Sequence, residues 1–120
     1  MPDPRNNRID YIEVPVRDIE ASKAFFRALC GWEFTDWGPD YASFNDGRVD
    51  GGFRRATTTA VTDEGSVLIV LYFDDLDATV ERVEELGGKI TKPVFSFPGG
   101  RRFHFTDPSG NEFAVWSEEK

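Results

Sequence analysis

The feature that most constrains the fold is an internal repeat with an offset of 57 residues. Residues 16–32 read VRDIEASKAFFRALCGW, and residues 73–89 read FDDLDATVERVEELGGK. Each copy has an aspartate suited to cap a helix, an apolar stripe at helical spacing and a glycine just after the stripe. The predicted stripes are Ala21, Phe25, Ala28 and Leu29 in the first helix and Leu76, Val80, Val83 and Leu86 in the second. Such a chain is expected to fold as two similar modules.

Short strands are predicted on both sides of each helix. The first helix is preceded by a strand at 9–16 and followed by three, at 32–37, 41–45 and 49–55. The second is preceded by a strand at 67–73 and followed by three, at 89–95, 101–106 and 111–117. The predicted fold class is α+β, with two tandem βαβββ modules that form a curved mixed sheet with a concave cleft and helices on the convex side. We expect a single domain over 1–120, with module 1 at about 8–55, a polar linker at 56–66 and module 2 at about 67–117.

Charge and composition exclude several classes of function. The 120 residues include 22 acidic and 14 basic side chains, which gives a net charge of −8 and argues against nucleic acid and anionic membranes as partners. The longest apolar run, Val67 to Phe73, is far shorter than the ~20 residues needed to cross a bilayer. A polar start and a single cysteine, which cannot form an internal disulfide, lead us to expect a cytoplasmic protein.

Three phrases together resemble one known family. They are IDYIEVPVRDIEASKAFFRALCGW, FDDLDATVERVEELGGK and RRFHFTDPSGNEFAVW, and they cover more than half of the chain. The chain resembles the vicinal oxygen chelate superfamily, which includes glyoxalase I, extradiol dioxygenases, fosfomycin-resistance enzymes and bleomycin-resistance proteins. The resemblance implies paired βαβββ modules, an open cleft and a homodimer. It leaves the activity open, because the superfamily contains both enzymes and pure binders.

The metal-ligand positions implied by the resemblance carry unsuitable residues. The first position is Tyr11, the third is Leu68 and the fourth is Ala114, while the second falls within 51–53, Gly-Gly-Phe. A divalent ion needs several nitrogen, oxygen or sulfur donors that converge at ~2 Å. The sequence therefore predicts a cleft without a metal ion or other cofactor.

Strand alternation predicts which side chains face the cleft, since every second residue of a strand points to the same side. The predicted ligand-binding residues are Tyr11, Glu13, Ser43, Arg54, Leu68, Tyr72, Arg102, His104, Ala114 and Trp116. Tyr11, Tyr72 and Trp116 could form an aromatic wall, or they could fill space that a metal and substrate occupy in relatives. Arg102 would suit a carboxylate or phosphate, or it could be surface charge. The expected ligand is a small organic molecule of aromatic or anionic character.

Glu13 and His104 are the candidate catalytic residues. Parity places His104 opposite Phe103 and Phe105, where it could act as a general acid or base, or could simply be satisfied by a neighbouring carboxylate. Glu13 could be a general base or an anchor for a cation, or it could pair with Arg54 or Arg102.

Three functions remain open from the sequence. The first is a metal-free small-molecule-binding protein of the glyoxalase and bleomycin-resistance type. The second is a metal-independent lyase or isomerase that uses Glu13 and His104. The third is a glyoxalase- or dioxygenase-type metal enzyme with relocated ligands, namely Glu13, His104 and Glu112.

Overall fold

The computed structural model describes residues 2–118. Two α-helices, eight strands and one short 3-10 helix (η1) follow one another along the chain. In order they are β1 (Tyr11–Val16), α1 (Ile19–Cys30), β2 (Glu33–Asp36), β3 (Tyr41–Asn45), β4 (Asp50–Arg55), η1 (Thr62–Glu64), β5 (Ile69–Tyr72), α2 (Leu76–Glu85), β6 (Lys89–Phe97), β7 (Gly100–Thr106) and β8 (Glu112–Glu118). This is the predicted tandem βαβββ order, and the predicted fold class is confirmed.

The chain divides into two compact units between Thr57 and Thr58. Each unit holds one four-stranded mixed sheet, with strand order β1-β4-β3-β2 in the first and β5-β8-β7-β6 in the second. The first strand of each module pairs in parallel with the last, and the remaining pairs are antiparallel. Each helix is therefore the crossover that links two strands of one sheet.

The helix ends follow the chemistry that the repeat predicts. Asp18 and Asp75 each accept a hydrogen bond from the backbone N–H three residues later, at 3.0 Å in both helices. Gly31 ends α1 with a φ of 73°, in the left-handed region. The second helix uses Gly87, with a φ of 95°, although the 57-residue offset aligns Gly31 with Gly88. The repeat is thus shifted by one residue at the end of α2.

The first core depends on aromatic side chains around α1. Phe26 is fully buried and its ring stacks on Trp32, with centroids 4.8 Å apart, and Trp32 in turn stacks on Phe44. The predicted stripe was wrong at Ala28, which is exposed, and it missed Phe26. The buried apolar positions of α1 are Ile19, Phe25, Phe26 and Leu29. The buried face of α1 is therefore rotated relative to the predicted stripe. The rotation brings Phe26 into contact with the aromatic rings of Trp32 and Phe53.

The second core is formed between α2 and one face of its sheet. Leu76 and Val83 are buried, whereas Val80 and Leu86 of the predicted stripe are only half-buried. On the sheet, Phe105 stacks on Phe113, with ring centroids 5.6 Å apart. These contacts supply the apolar burial that stabilises a module of this size.

The segment predicted as a linker is bonded to the last hairpin. It contains η1, and the Ala60 N–H donates to Oδ1 of Asn111 at 2.7 Å, while the Glu112 N–H donates to the Ala60 carbonyl at 2.9 Å. The hairpin is held by Asp107, whose Oδ1 accepts from the N–H groups of Ser109 and Asn111. A short polar stretch is therefore fixed beside the start of β8.

Within the described part of the chain, each helix is too short or too polar to cross a membrane.

Candidate functional site

One face of the first sheet carries the predicted polar residues of that module. The strand register places Tyr11 and Glu13 of β1 beside Ser43 of β3 and Arg54 of β4. The opposite face carries the buried apolar residues, such as Phe53. Glu13 is half-exposed, with 52% of its side chain accessible. We call this surface, defined by Tyr11, Glu13, Tyr41, Ser43 and Arg54, the polar face of the first module.

A chain of hydrogen bonds crosses that face. The Tyr41 hydroxyl donates to Oε2 of Glu13 at 3.1 Å, and the hydroxyls of Tyr11 and Tyr41 lie 2.5 Å apart. Because the Tyr41 proton points to the carboxylate, Tyr11 must be the donor in the bond between the two tyrosines. Glu13 also lies 3.8 Å from Nε of Arg54, a distance typical of a weak ion pair between exposed groups.

The pKa of Tyr41 is raised above its usual value. Burial is the largest cause, followed by the hydrogen bonds to Tyr11 and Glu13. The phenol therefore stays protonated at neutral pH and continues to donate to Glu13. The geometry gives one direction of donation, from Tyr11 through Tyr41 to Glu13.

Two glycines make room for the rings beside this chain. A Cβ at Gly52 would overlap the hydroxyl groups of Tyr41 and Tyr11, and one at Gly51 would overlap the Phe44 ring and the Ile12 carbonyl. Strand β4 pairs residue for residue with both neighbours through these positions, so no bulge is present there. The Gly-Gly pair serves close side-chain packing across the strand.

A concavity of about 610 Å³ opens at one end of the first sheet. Trp37 is 66% exposed at its edge, yet its indole N–H donates to the Ser43 hydroxyl at 2.9 Å, which limits the orientations of the ring. The volume is in the range of small-ligand sites. The lining residues are Asp10, Tyr11, Glu33, Phe34, Thr35, Trp37, Ser43, Phe44, Asn45, Asp50 and Gly51.

The second sheet has a corresponding face that carries His104. Register and alternation place Arg102, His104 and Thr106 of β7 beside Glu112, Ala114 and Trp116 of β8. Phe103 and Phe105 are fully buried on the other face. His104 itself is buried, with 5% of its surface exposed.

Both nitrogens of His104 are engaged. Nδ1 lies 2.8 Å from Oε2 of Glu112, and Nε2 lies 3.0 Å from Nη2 of Arg102. A guanidinium can only donate, so Nε2 accepts and Nδ1 carries the proton that is donated to Glu112. These contacts are those of the Nδ1–H tautomer, with the ring satisfied by a neighbouring carboxylate, which is one of the two alternatives that the sequence left open. Neither nitrogen offers a free lone pair to a substrate or metal.

Glu112 anchors this cluster to the segment before β5. Burial would raise the pKa of Glu112, but hydrogen bonds from the Thr62 backbone, His104 and the Thr62 hydroxyl outweigh it and lower the pKa to about 2. The bonds from Thr62 to Oε1 are 2.8 and 2.7 Å long. The buried Nε of Arg102 has no hydrogen-bond partner within residues 2–118.

Aromatic rings lie along the same face of the second sheet. Tyr72 meets Trp116 edge to face, with centroids 5.0 Å apart, and Phe97 lies 6.1 Å from Trp116. Of the predicted wall, Tyr72 and Trp116 are in contact, while Tyr11 contacts Tyr41 in the first module. Leu68 precedes β5 and is half-buried, and Ala114 is fully buried between its neighbours.

The residues at the metal-ligand positions do not fit a divalent ion. Leu68 and Ala114 offer no donor atom, Gly51 to Phe53 offer only backbone, and the Tyr11 hydroxyl is bonded to Tyr41. No three His, Cys, Asp or Glu side chains are grouped to hold a metal ion anywhere in residues 2–118. Of the alternative set, His104 and Glu112 are bonded to each other within the second module.

Sequence reasoning missed three rings that shape these faces. Tyr41 bonds to two predicted residues, Trp37 bonds to a third, and Phe95 lies over both Arg102 and His104. Tyr41 could have been found, because it stands two residues before Ser43 on the same strand and must share its face. Trp37 lies just beyond β2, where alternation gives no guidance.

The fold is shared with solved structures of other proteins. A glyoxalase/bleomycin resistance protein/dioxygenase family enzyme from Burkholderia phytofirmans superposes with a TM-score of 0.77 at 18% identity, over 92% of this chain and 100% of that one. The fosfomycin resistance protein FosX from Listeria monocytogenes also gives 0.77 at 18% identity, over 92% and 93%. At these identities the likeness concerns the fold alone.

The sequence itself then assigns the family. The sequence model of the Glyoxalase/Bleomycin resistance protein/Dioxygenase superfamily matches residues 8–115, and this chain belongs to that superfamily. Anthracycline biosynthesis protein DauV from Streptomyces sp. (strain C5) is 33% identical over 112 residues, which are 89% of this chain and 40% of that protein. The chain thus spans less than half the length of this curated relative.

Proposed function

We propose that this chain binds a small organic molecule with an aromatic framework, without a metal ion, at the concavity of the first module. The observation that carries the proposal is the arrangement of rings there. The rings of Tyr11 and Trp37 line an open volume of about 610 Å³, and Ser43 holds the indole by a hydrogen bond. Pockets that bind small molecules combine aromatic side chains with placed polar groups, and both kinds of residue line this concavity.

The similar proteins support a ligand of this size. The superfamily includes bleomycin-resistance proteins, and DauV is named for anthracycline biosynthesis. Both names refer to small organic molecules. Because the chain covers only 40% of DauV, the role of that protein supports the class of ligand and not its identity.

A neutral naphthalene probe tests the proposal directly. We expect 1-naphthalenemethanol to bind and to shift backbone amide NMR signals of the residues around Trp37 and Ser43. Trp37→Ala should weaken binding about tenfold, because a stacked ring contributes ~0.5–1.5 kcal/mol. Trp37→Phe should restore most of the affinity, and Val67→Ala, an exposed apolar change away from the lining, serves as control. Unchanged affinity in Trp37→Ala, or no binding of the probe, would contradict the proposal.

The absence of a tightly bound metal ion is a separate prediction. Protein purified without added metal should contain less than stoichiometric zinc, nickel, iron or manganese by elemental analysis. The reason is that Tyr11, Leu68 and Ala114 replace donors that a metal site needs. Probe binding should be the same with and without a chelator. One equivalent of any of these metals would show that other residues form a site.

A homodimer is expected in solution. Strands β2 and β6 lie at the ends of their sheets, and unpaired sheet edges are usually covered by another strand, a loop or a second chain. Light scattering at micromolar concentration should give twice the chain mass of 13.6 kDa. A mass of one chain would refute this expectation.

A metal-independent lyase or isomerase is the second candidate. The bonds from Tyr11 through Tyr41 to Glu13 form a path along which a proton could move on the polar face of the first module. His104 is less suited to this role, since Arg102 and Glu112 occupy its nitrogens. Turnover of α-keto or hemithioacetal substrates that is lost in Glu13→Gln would favour this candidate over a pure binder.

A further inference from the structure

The charged side chains that line the concavity of the first module all have the same sign. Asp10, Glu33 and Asp50 line it, and among residues 2–118 no lysine or arginine does. Asp50 is bonded to the neutral amide of Asn45 at 2.7 Å, which leaves its charge in place. Within residues 2–118, the ion pairs closer than 4.0 Å include none of these three carboxylates.

The nearby arginines compensate this charge only in part. Arg5 interacts with Asp10 at longer range, but its guanidinium is bonded to Asp3 at 2.8 Å. Arg54 is directed towards Glu13 and does not line the concavity. A cleft with uncompensated charge of one sign concentrates ions of the opposite sign.

The uncharged groups of the concavity also suit a cation. The Tyr11 hydroxyl donates its hydrogen bond to Tyr41. Its oxygen can therefore act only as a hydrogen-bond acceptor towards a ligand. The rings of Tyr11 and Trp37 present π faces at the concavity, which attract an ammonium group held within ~6 Å. Rings and carboxylates therefore favour the same kind of ligand for independent physical reasons.

We propose that the concavity selects an organic cation, an amine that is protonated or quaternary and is attached to an aromatic or apolar body. This inference rests on the proposed function, because it names the class of molecule that the same site would bind. The carboxylates supply the preference for charge, and Trp37 with its neighbouring rings supplies contact for the body of the ligand.

Three probes with one ring system separate charge from shape. They are 1-naphthylmethylamine, which is a cation at pH 7, neutral 1-naphthalenemethanol and anionic 1-naphthaleneacetate. We expect the amine to bind about tenfold more tightly than the alcohol at low salt, and the acetate to bind more weakly than both. The preference for the amine should shrink towards the alcohol's affinity in ~0.5 M salt, because salt screens exposed charges.

A matched pair of variants assigns the preference to the concavity. The triple change Asp10→Asn, Glu33→Gln and Asp50→Asn should bring the amine to the affinity of the alcohol, which itself should change little. The control changes the net charge equally at positions that do not line the concavity, and it should keep the preference. Its substitutions are Asp63→Asn, Glu64→Gln and Glu81→Gln.

Each outcome bears on one claim. Equal binding of amine and alcohol by the unchanged protein overturns the cation inference and leaves the proposed function standing. Tightest binding of the acetate also overturns it. If none of the three probes binds, the proposed function fails, and the cation inference fails with it.

Discussion

Glu112→Gln is expected to lower the free energy of unfolding by about 3 kcal/mol at pH 7, because a buried, fully bonded carboxylate is replaced by an amide. The carboxylate accepts from the Thr62 N–H, the Thr62 hydroxyl and Nδ1–H of His104. Glutamine keeps one acceptor oxygen, but its NH₂ group would face a hydrogen-bond donor of Thr62 or His104, so at least one of these bonds is lost. Urea unfolding followed by fluorescence measures the difference. Glu84→Gln, at an exposed helix position, should change stability by less than ~0.5 kcal/mol.

The same carboxylate predicts a dependence of stability on pH. Its pKa is about 2 in the folded protein against 4.5 for the free group, a difference of about 3 kcal/mol at ~1.36 kcal/mol per pH unit. A pKa lowered by folding means that the stabilisation is fully present above 4.5 and is lost as the pH falls to about 2. The gap between wild type and Glu112→Gln should therefore close over this range. A gap that stays constant down to pH 2 would show that the charge of Glu112 is not what stabilises the fold.

Local chemistry explains why the modular fold could be predicted. A helix cap or a turn needs only residues close in sequence, so Asp18 and Asp75 identified the helix starts, and Asp107 with Gly110 identified the last turn. Alternation then placed Arg102 and His104 on one face without knowledge of any partner.

Contacts across strands could not be predicted in the same way. The bond from Tyr41 to Glu13 joins residues 28 apart, and it depends on the register of β3 and β4, which the turn between them sets. The role of Gly51 and Gly52 could not be predicted for the same reason, since the rings that cover them come from β1 and β3. The tautomer of His104 depends on the approach of Arg102, which is a side-chain conformation and not a property of the sequence pattern.

Gly51→Ala is expected to destabilise the protein by about 2–3 kcal/mol, the cost of overpacking a closely packed site. The new Cβ would overlap the Ile12 carbonyl, which belongs to the paired strand, and the Phe44 ring, which is stacked on Trp32. Neither can move without loss of sheet or core contacts. Urea unfolding of the variant, with an unchanged dependence on urea concentration, would measure this cost.

Gly52→Ala is the matched control, and it separates stability from the site. Its Cβ meets the hydroxyl ends of Tyr41 and Tyr11, which can swing outwards, so the cost in stability should stay below about 1 kcal/mol. The swing would break the bond from Tyr41 to Glu13 and move Tyr11 at the wall of the concavity. Naphthalene probes should then bind more weakly to Gly52→Ala even though it remains folded. Equal destabilisation by the two substitutions would mean that the two tyrosine rings are held as rigidly as the backbone. Unchanged probe affinity in Gly52→Ala would show that Tyr11 does not contact the ligand.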